Sequence, residues 1–133
     1  MFDSHKIIGN PAVGADDFAT ITTRGSRHLI GRIHAIGITY HVANALGVDV
    51  IVRTVGSGGP VLTLLTLTDN VVNGWFNVRH KVVDEAKANV YYEVTNAKAI
   101  YAPPIVDNAI EVVIDQADAG DSVDVQIIYD RGN

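Results

Sequence analysis

At 133 residues, with 15 acidic side chains against 10 Lys and Arg and a net charge of −5, the chain is long enough for one self-sufficient core, and it lacks the basic excess that binding to nucleic-acid phosphates requires. Cysteine is absent, which excludes disulfides, thiolate metal sites and a cysteine nucleophile, and fits assembly in a reducing cytoplasm. No apolar run approaches the roughly 20 residues that cross a bilayer, residues 1–17 have no signal-peptide core and no Asn-x-Ser/Thr acceptor occurs, so neither a membrane partner nor a removed leader is expected.

The hydrophobic 47% is mostly Val, Ile and Ala, with Leu gathered in one segment, a composition that favours strands over helices. Residues 1–26 set Phe2, Ile7, Ile8 and Phe18 among Gly9, Pro11, Gly14, Asp16, Asp17 and Gly25 without a sustained period. They predict an extended arm, either frayed or laid on a neighbouring subunit with those four apolar side chains as anchors. Over residues 28–42 the pattern is strand-like but changes phase, with Leu29, Ile33 and Ala35 on one parity and Ile36, Ile38, Tyr40 and Val42 on the other. A bulge near Gly37 would restore one inward face.

A turn at residues 44–47 leads to a strand in which Val48, Val50 and Val52 alternate with Asp49, Ile51 and Arg53. The glycine-rich residues 56–60 make the next turn; they lack the Lys-Ser/Thr and the helix of a phosphate-binding loop. Residues 61–68 are apolar on both parities, Val61, Leu65 and Leu67 against Leu62 and Leu64. Either this strand is central with cover over its outer face, or Leu62 and Leu64 join an oligomer interface.

After the Asn73-Gly74 turn, Phe76, Val78, His80 and Val82 share one face and Trp75, Asn77, Arg79 and Lys81 the other. Trp75 and Arg79 on an outward face are residue types of interface hot spots; otherwise Trp75 caps the end of the sandwich and Arg79 is solvated. A turn at 84–88, a strand at 90–95 and a short strand at 97–101 follow, the last stopped at a sheet edge by Pro103-Pro104. Residues 108–130 carry the clearest pattern: Ile110, Val112 and Ile114, then a polar connector over 116–122, then Val123, Val125, Ile127 and Tyr129, all at period two. They predict an antiparallel hairpin over one core. The sum is an all-β, antiparallel β-sandwich or jelly roll of about eight strands over residues 27–133, preceded by an arm over 1–26.

Catalytic patterns are missing from the sequence. His5, His28, His34, His41 and His80 lack the close spacing of a metal pair, although His28 and His34 can share a strand face. Asp115, Asp118, Asp121 and Asp124 recur every third residue, unlike the alternate ligands of an EF-hand, and are expected to be a solvated acidic loop. None of Ser4, Ser26, Ser57 and Ser122 sits in a nucleophile elbow, and Asp84, Glu85 and Glu93 have no aromatic cleft around them. No catalytic residue, metal or cofactor is expected.

The downstream half resembles the small β-sandwich head accessory proteins, cement or decoration subunits, of tailed bacteriophages. The likeness is carried by Trp75-Phe76-Asn77-Val78-Arg79 after an Asn-Gly turn, Tyr101-Ala102-Pro103-Pro104-Ile105-Val106-Asp107, Ile110-x-Val112-x-Ile114, and Gly120-Asp121 through Val125-x-Ile127-Ile128-Tyr129. It covers residues 61–133, with a weaker likeness over 32–40. The resemblance implies a structural virion protein on the capsid exterior, assembled in the host cytoplasm and bound between major capsid protein subunits, with a homotrimer favoured. Leu62, Leu64, Trp75, Arg79, Phe2, Ile7, Ile8 and Phe18 are its expected interface residues. The alternative is a carbohydrate-binding jelly-roll module, such as a virion host-adhesion domain, for which Tyr91, Tyr101 and Trp75 are the candidate aromatic residues. A small cupin-like enzyme would be expected to carry clustered His and Glu on adjacent strands, a pattern this sequence does not show.

Overall fold

The computed structural model describes residues 2–41, 47–56, 60–70, 72–81, 91–93, 98–99 and 101–131. Among them there is no helix, and every strand pairing is antiparallel. The strands are β1 (Phe2–Ile7), β2 (Ala19–Tyr40), β3 (Val48–Thr54), β4 (Thr63–Asn70), β5 (Gly74–Asn77), β6 (His80–Lys81), β7 (Tyr91–Glu93), β8 (Lys98–Ala99), β9 (Tyr101–Ala102), β10 (Ile105–Ala117) and β11 (Val123–Asp130). Seven of them form one hydrogen-bonded set in the order β1-β11-β2-β10-β3-β4, with β5 also on β2; β6 pairs β9, and β7 pairs β8. The turn expected at 44–47 lies largely outside the described residues, as do residues 57–59 of the glycine-rich turn and all of the turn at 84–88.

A sandwich arises because β2 is bent. β10 runs along residues 19–32 of this strand and β11 along residues 32–40, so Ala117 ends opposite Ala19 while Val123 begins opposite Tyr40. The connector between Ala117 and Val123 spans at most about 20 Å. A straight β2 would hold Ala19 and Tyr40 about 70 Å apart. The strand therefore doubles back, and its halves lie in two layers, the way strands turn corners between packed sheets. Gly31 sits where pairing passes from β10 to β11, with φ 141°, and a Cβ there would collide with the Asp130 carbonyl oxygen. Only glycine fits this position.

Between the layers lies one core, with Leu29, Ile33, Ile36, Ile38, Val50, Val52, Ile110, Val112, Ile114, Val125, Ile127 and Tyr129 all buried. Each such side chain contributes about 1.5–3 kcal/mol by leaving water. The layers meet face to face: a Cβ on Gly25 in β2 would stand 2.9 Å from Nε2 of His5 and 3.0 Å from Cδ1 of Ile7, both on β1. The fold is thus the all-β antiparallel sandwich, jelly-roll in type, that the alternation predicts.

Several details differ from expectation. Residues 108–130 alternate as predicted, but β10 and β11 pair with β2 rather than with each other, so the connector crosses between layers and makes no hairpin. Residues 2–7 are extended, yet they form β1 against β11 of their own chain, and the expected arm boundary at residue 26 falls inside β2. The phase change in β2 lies at His34: Ile128 faces Ala35 and Tyr129 faces Ile33, leaving His34 as the inserted residue, ahead of the expected Gly37. β4 is a terminal strand of the pairing order, not a central one. Its two apolar parities have the same cause as those of β2: Val52 faces Leu65 and Arg53 faces Thr63, so Leu64 is inserted as a bulge. Leu62 before the bulge, Leu64 at it, and Leu65 and Leu67 after it all pack on the core while Thr63, Thr66 and Thr68 stay exposed.

Candidate functional site

Register across the second layer sets four residues in one row on its outer face. Lys6 faces Gln126, Gln126 faces Gly37 and Gly37 faces Trp75, so β1, β11, β2 and β5 each contribute one residue. Three strand spacings separate the ends, about 14 Å. At Gly37 a Cβ would lie 2.9–3.0 Å from Cζ3, Cε3 and Cη2 of Trp75, which means that the indole lies over the glycine. Trp75 nevertheless remains 59% exposed. The next rung is Asp124 opposite Thr39. With Asn73, these residues line a groove of about 300 Å³.

Polar groups around the indole differ in how far they are committed. Asp124 is buried; its carboxylate pairs with Nε2 of His41 at 2.6 Å and accepts the Gly9 N–H at 3.0 Å. Asn73 accepts the Tyr40 N–H at 2.8 Å through Oδ1, and its amide nitrogen has no partner among the described residues. Lys6, Thr39 and Gln126 make no side-chain hydrogen bond with a described residue. The arrangement is an apolar ring face with unsatisfied donors and acceptors at its rim, suited to a ligand that is apolar on one face and polar at its edge.

A second cleft, about 390 Å³, is lined by Arg27, His28, Ile30, Tyr129 and Arg131. Its cations are internally matched. Asp3 accepts from Nη2 of Arg131 at 2.7 Å and from the Tyr129 hydroxyl at 3.4 Å, while Arg27 donates to that hydroxyl at 3.0 Å. The Ser4 N–H, then Arg131 and Arg27, hold the Asp3 carboxyl below its ordinary range against an opposing desolvation. His5 is buried with Nε2 unpartnered; burial first, and the nearby Arg27 second, push its titration below the usual value.

Of the expected interface residues, Trp75 lies in the groove and Arg79 outside it, its Nη1 donating to the carbonyls of Val78 at 2.7 Å and His34 at 3.2 Å. Ile7 and Leu64 are buried in the chain's own core, and Leu62 is packed against it, so these three offer no face to a neighbour. Phe2, Ile8 and Phe18 are exposed, and Phe2 stands edge-on to His34 with ring centroids 4.8 Å apart. Tyr101 is exposed on β9, away from the groove, and the side chain of Tyr91 lies outside the described residues. The acidic loop differs from expectation: Asp121 is buried, and Asp118 and Asp121 accept the N–H groups of Asp17 and Asp118. Among the described residues no three His, Asp or Glu side chains converge on a possible metal position. Sequence reasoning passed over Lys6, Thr39 and Gln126, read a bulge near Gly37 and read Asp124 as part of a solvated loop, whereas Asp124 is buried; the one local signal was a glycine inside a strand, a mark of close approach.

No family model matches the chain, and no curated protein matches it. Solved structures do. A variant of the family 29 carbohydrate-binding module CBM29-2 aligns over 98% of this chain and 82% of its own, at 9% identity and a TM-score of 0.45. A second variant aligns over 98% and 76%, at 7% identity and 0.47. The family 32 carbohydrate-binding module from C. perfringens NanJ, in complex with galactose, aligns over 96% and 93%, at 12% identity and 0.34. Scores and identities this low carry no argument about what this chain binds.

Proposed function

We propose that the chain is a non-catalytic carbohydrate-binding module that holds a glycan in the groove on Trp75. The observation that carries this reading is the indole laid over Gly37, largely open to solvent and edged by Lys6, Gln126, Thr39 and Asn73. A pyranose ring has an apolar C–H face that stacks on an aromatic ring and equatorial hydroxyls that take hydrogen bonds at its edge, so the two surfaces match. Trp75→Ala removes the stacking platform without touching the core. Isothermal titration and affinity electrophoresis against a panel of soluble glycans test the reading: the parent binds at least one, and the variant loses at least tenfold in affinity. A parent that binds none, or a variant that binds as well, overturns it.

A second reading rests on a different observation. Phe2, Ile8, Phe18 and Ile105 are 63%, 60%, 78% and 72% exposed, apolar surface that an assembly would remove from water. A capsid cement subunit, trimeric and seated between major capsid proteins, accounts for that exposure. The mass of the particle in solution, alone and mixed with capsid shells, separates a monomeric module from an assembling subunit.

A further inference from the structure

We propose that the glycan recognised at Trp75 is acidic, and that Lys6 takes its carboxylate or sulfate; this rests on the glycan-binding reading above. The row from Trp75 to Lys6 crosses β5, β2, β11 and β1 on one face, and at the second strand it has no side chain at all, because that residue is Gly37. The indole fills the space above Gly37, so a short oligosaccharide stacked on it runs past Gln126 to the Lys6 ammonium, about 10 Å away across the two strand spacings from Gly37 to Lys6.

The charges favour an anion at that end. Lys6 is exposed, and neither a hydrogen bond nor an ion pair ties it to another described residue. The carboxylate among the lining residues, Asp124, is buried and engaged by Nε2 of His41 and by the Gly9 N–H, so it is held back from a ligand at the surface. Lys6 is thus the charge this groove presents to a ligand. On a chain of net charge −5, it is a local positive charge beside the indole.

Matched glycans separate this inference from the reading beneath it. The intact protein is titrated with polygalacturonate, with the same polymer after carboxyl reduction, with a sulfated galactan and with the desulfated galactan, at low and at physiological ionic strength. Expected is tighter binding of the acidic member of a pair, by at least about threefold at low salt and less at higher salt, as for an exposed ion pair. Lys6→Gln abolishes that preference, and Lys6→Arg keeps it. Preference for one acidic polymer over the other assigns the anion as carboxylate or sulfate. Equal binding within both pairs, or a preference that survives Lys6→Gln, overturns the role of Lys6 and leaves glycan binding standing. Absence of binding to every member overturns the acidic ligand, and absence of binding across the wider glycan panel as well overturns both.

Discussion

Replacing Gly37 by alanine tests the placement of the indole without reference to any ligand. The new methyl would stand 2.9 Å from Cζ3 of Trp75, closer than carbon atoms approach, and the exposed ring is the partner free to move. With Trp75 59% exposed, about 100 Å² of its surface is covered, and losing that cover costs about 2.5 kcal/mol at 25 cal/mol per Å². Alanine in a strand offsets roughly 0.5–1 kcal/mol of this by restricting the unfolded chain. The net expectation is a loss of about 1.5–2 kcal/mol, seen as a lower urea midpoint with an unchanged m-value. Trp75 is the only tryptophan, so its emission reads the site directly, and a red shift is expected as the ring lifts into water. A Gly37→Ala protein as stable as the parent, with unshifted emission, would refute the argument that the indole lies on the glycine.

Other positions give equally direct outcomes. Gly31→Ala forces a side chain at φ 141° against the Asp130 carbonyl, and is expected to cost at least about 3 kcal/mol or to prevent folding, as judged by circular dichroism and urea titration. Leu64→Ala empties a buried bulge position and should cost about 2–4 kcal/mol in the same assay, whereas a value near zero would mean that Leu64 faces solvent. His5 titrates below 6.5 in the fold, so the unfolded chain takes up its proton first. Stability from this group is complete above pH 6.5 and declines as the pH falls below it, and the urea midpoint of His5→Leu should fall less between pH 7 and 5 than that of the parent. Burial pushes the Tyr40 phenol up to about 12, from 10.0 when unfolded, and its hydroxyl has no partner. Its contribution is therefore whole below pH 10 and lost as the pH rises toward 12; Tyr40→Phe should be at least as stable as the parent at pH 8 and flatter above pH 10.

Where alternation runs without a bulge, the face each residue takes was legible in the sequence; which strand lies beside it was not. Alternation over 110–114 and 123–129 named the buried side chains correctly, because side-chain direction follows from backbone pleat alone. Pairing depends on where a strand bends. That bend in β2 rests on Gly31, whose close contact with Asp130 is set by residues a hundred positions away. The doubled apolar parity of 62–67 has the same origin: two phases joined at an inserted residue look, in one dimension, like a strand covered on both sides. The groove was hidden for this reason too. Trp75 stood out by type and parity, but Lys6, Gln126 and Gly37 become its companions only through three separate registers.

Because β2 supplies backbone partners to β10 in one layer and to β11 and β5 in the other, neither layer has a complete ladder without it. Opening either side of the molecule strips hydrogen bonds from the same continuous stretch of chain, so the two layers unfold as one cooperative unit. Slow amide exchange should accordingly run unbroken from Leu29 to Ile38, across the corner, with a single protection energy equal to that of global unfolding.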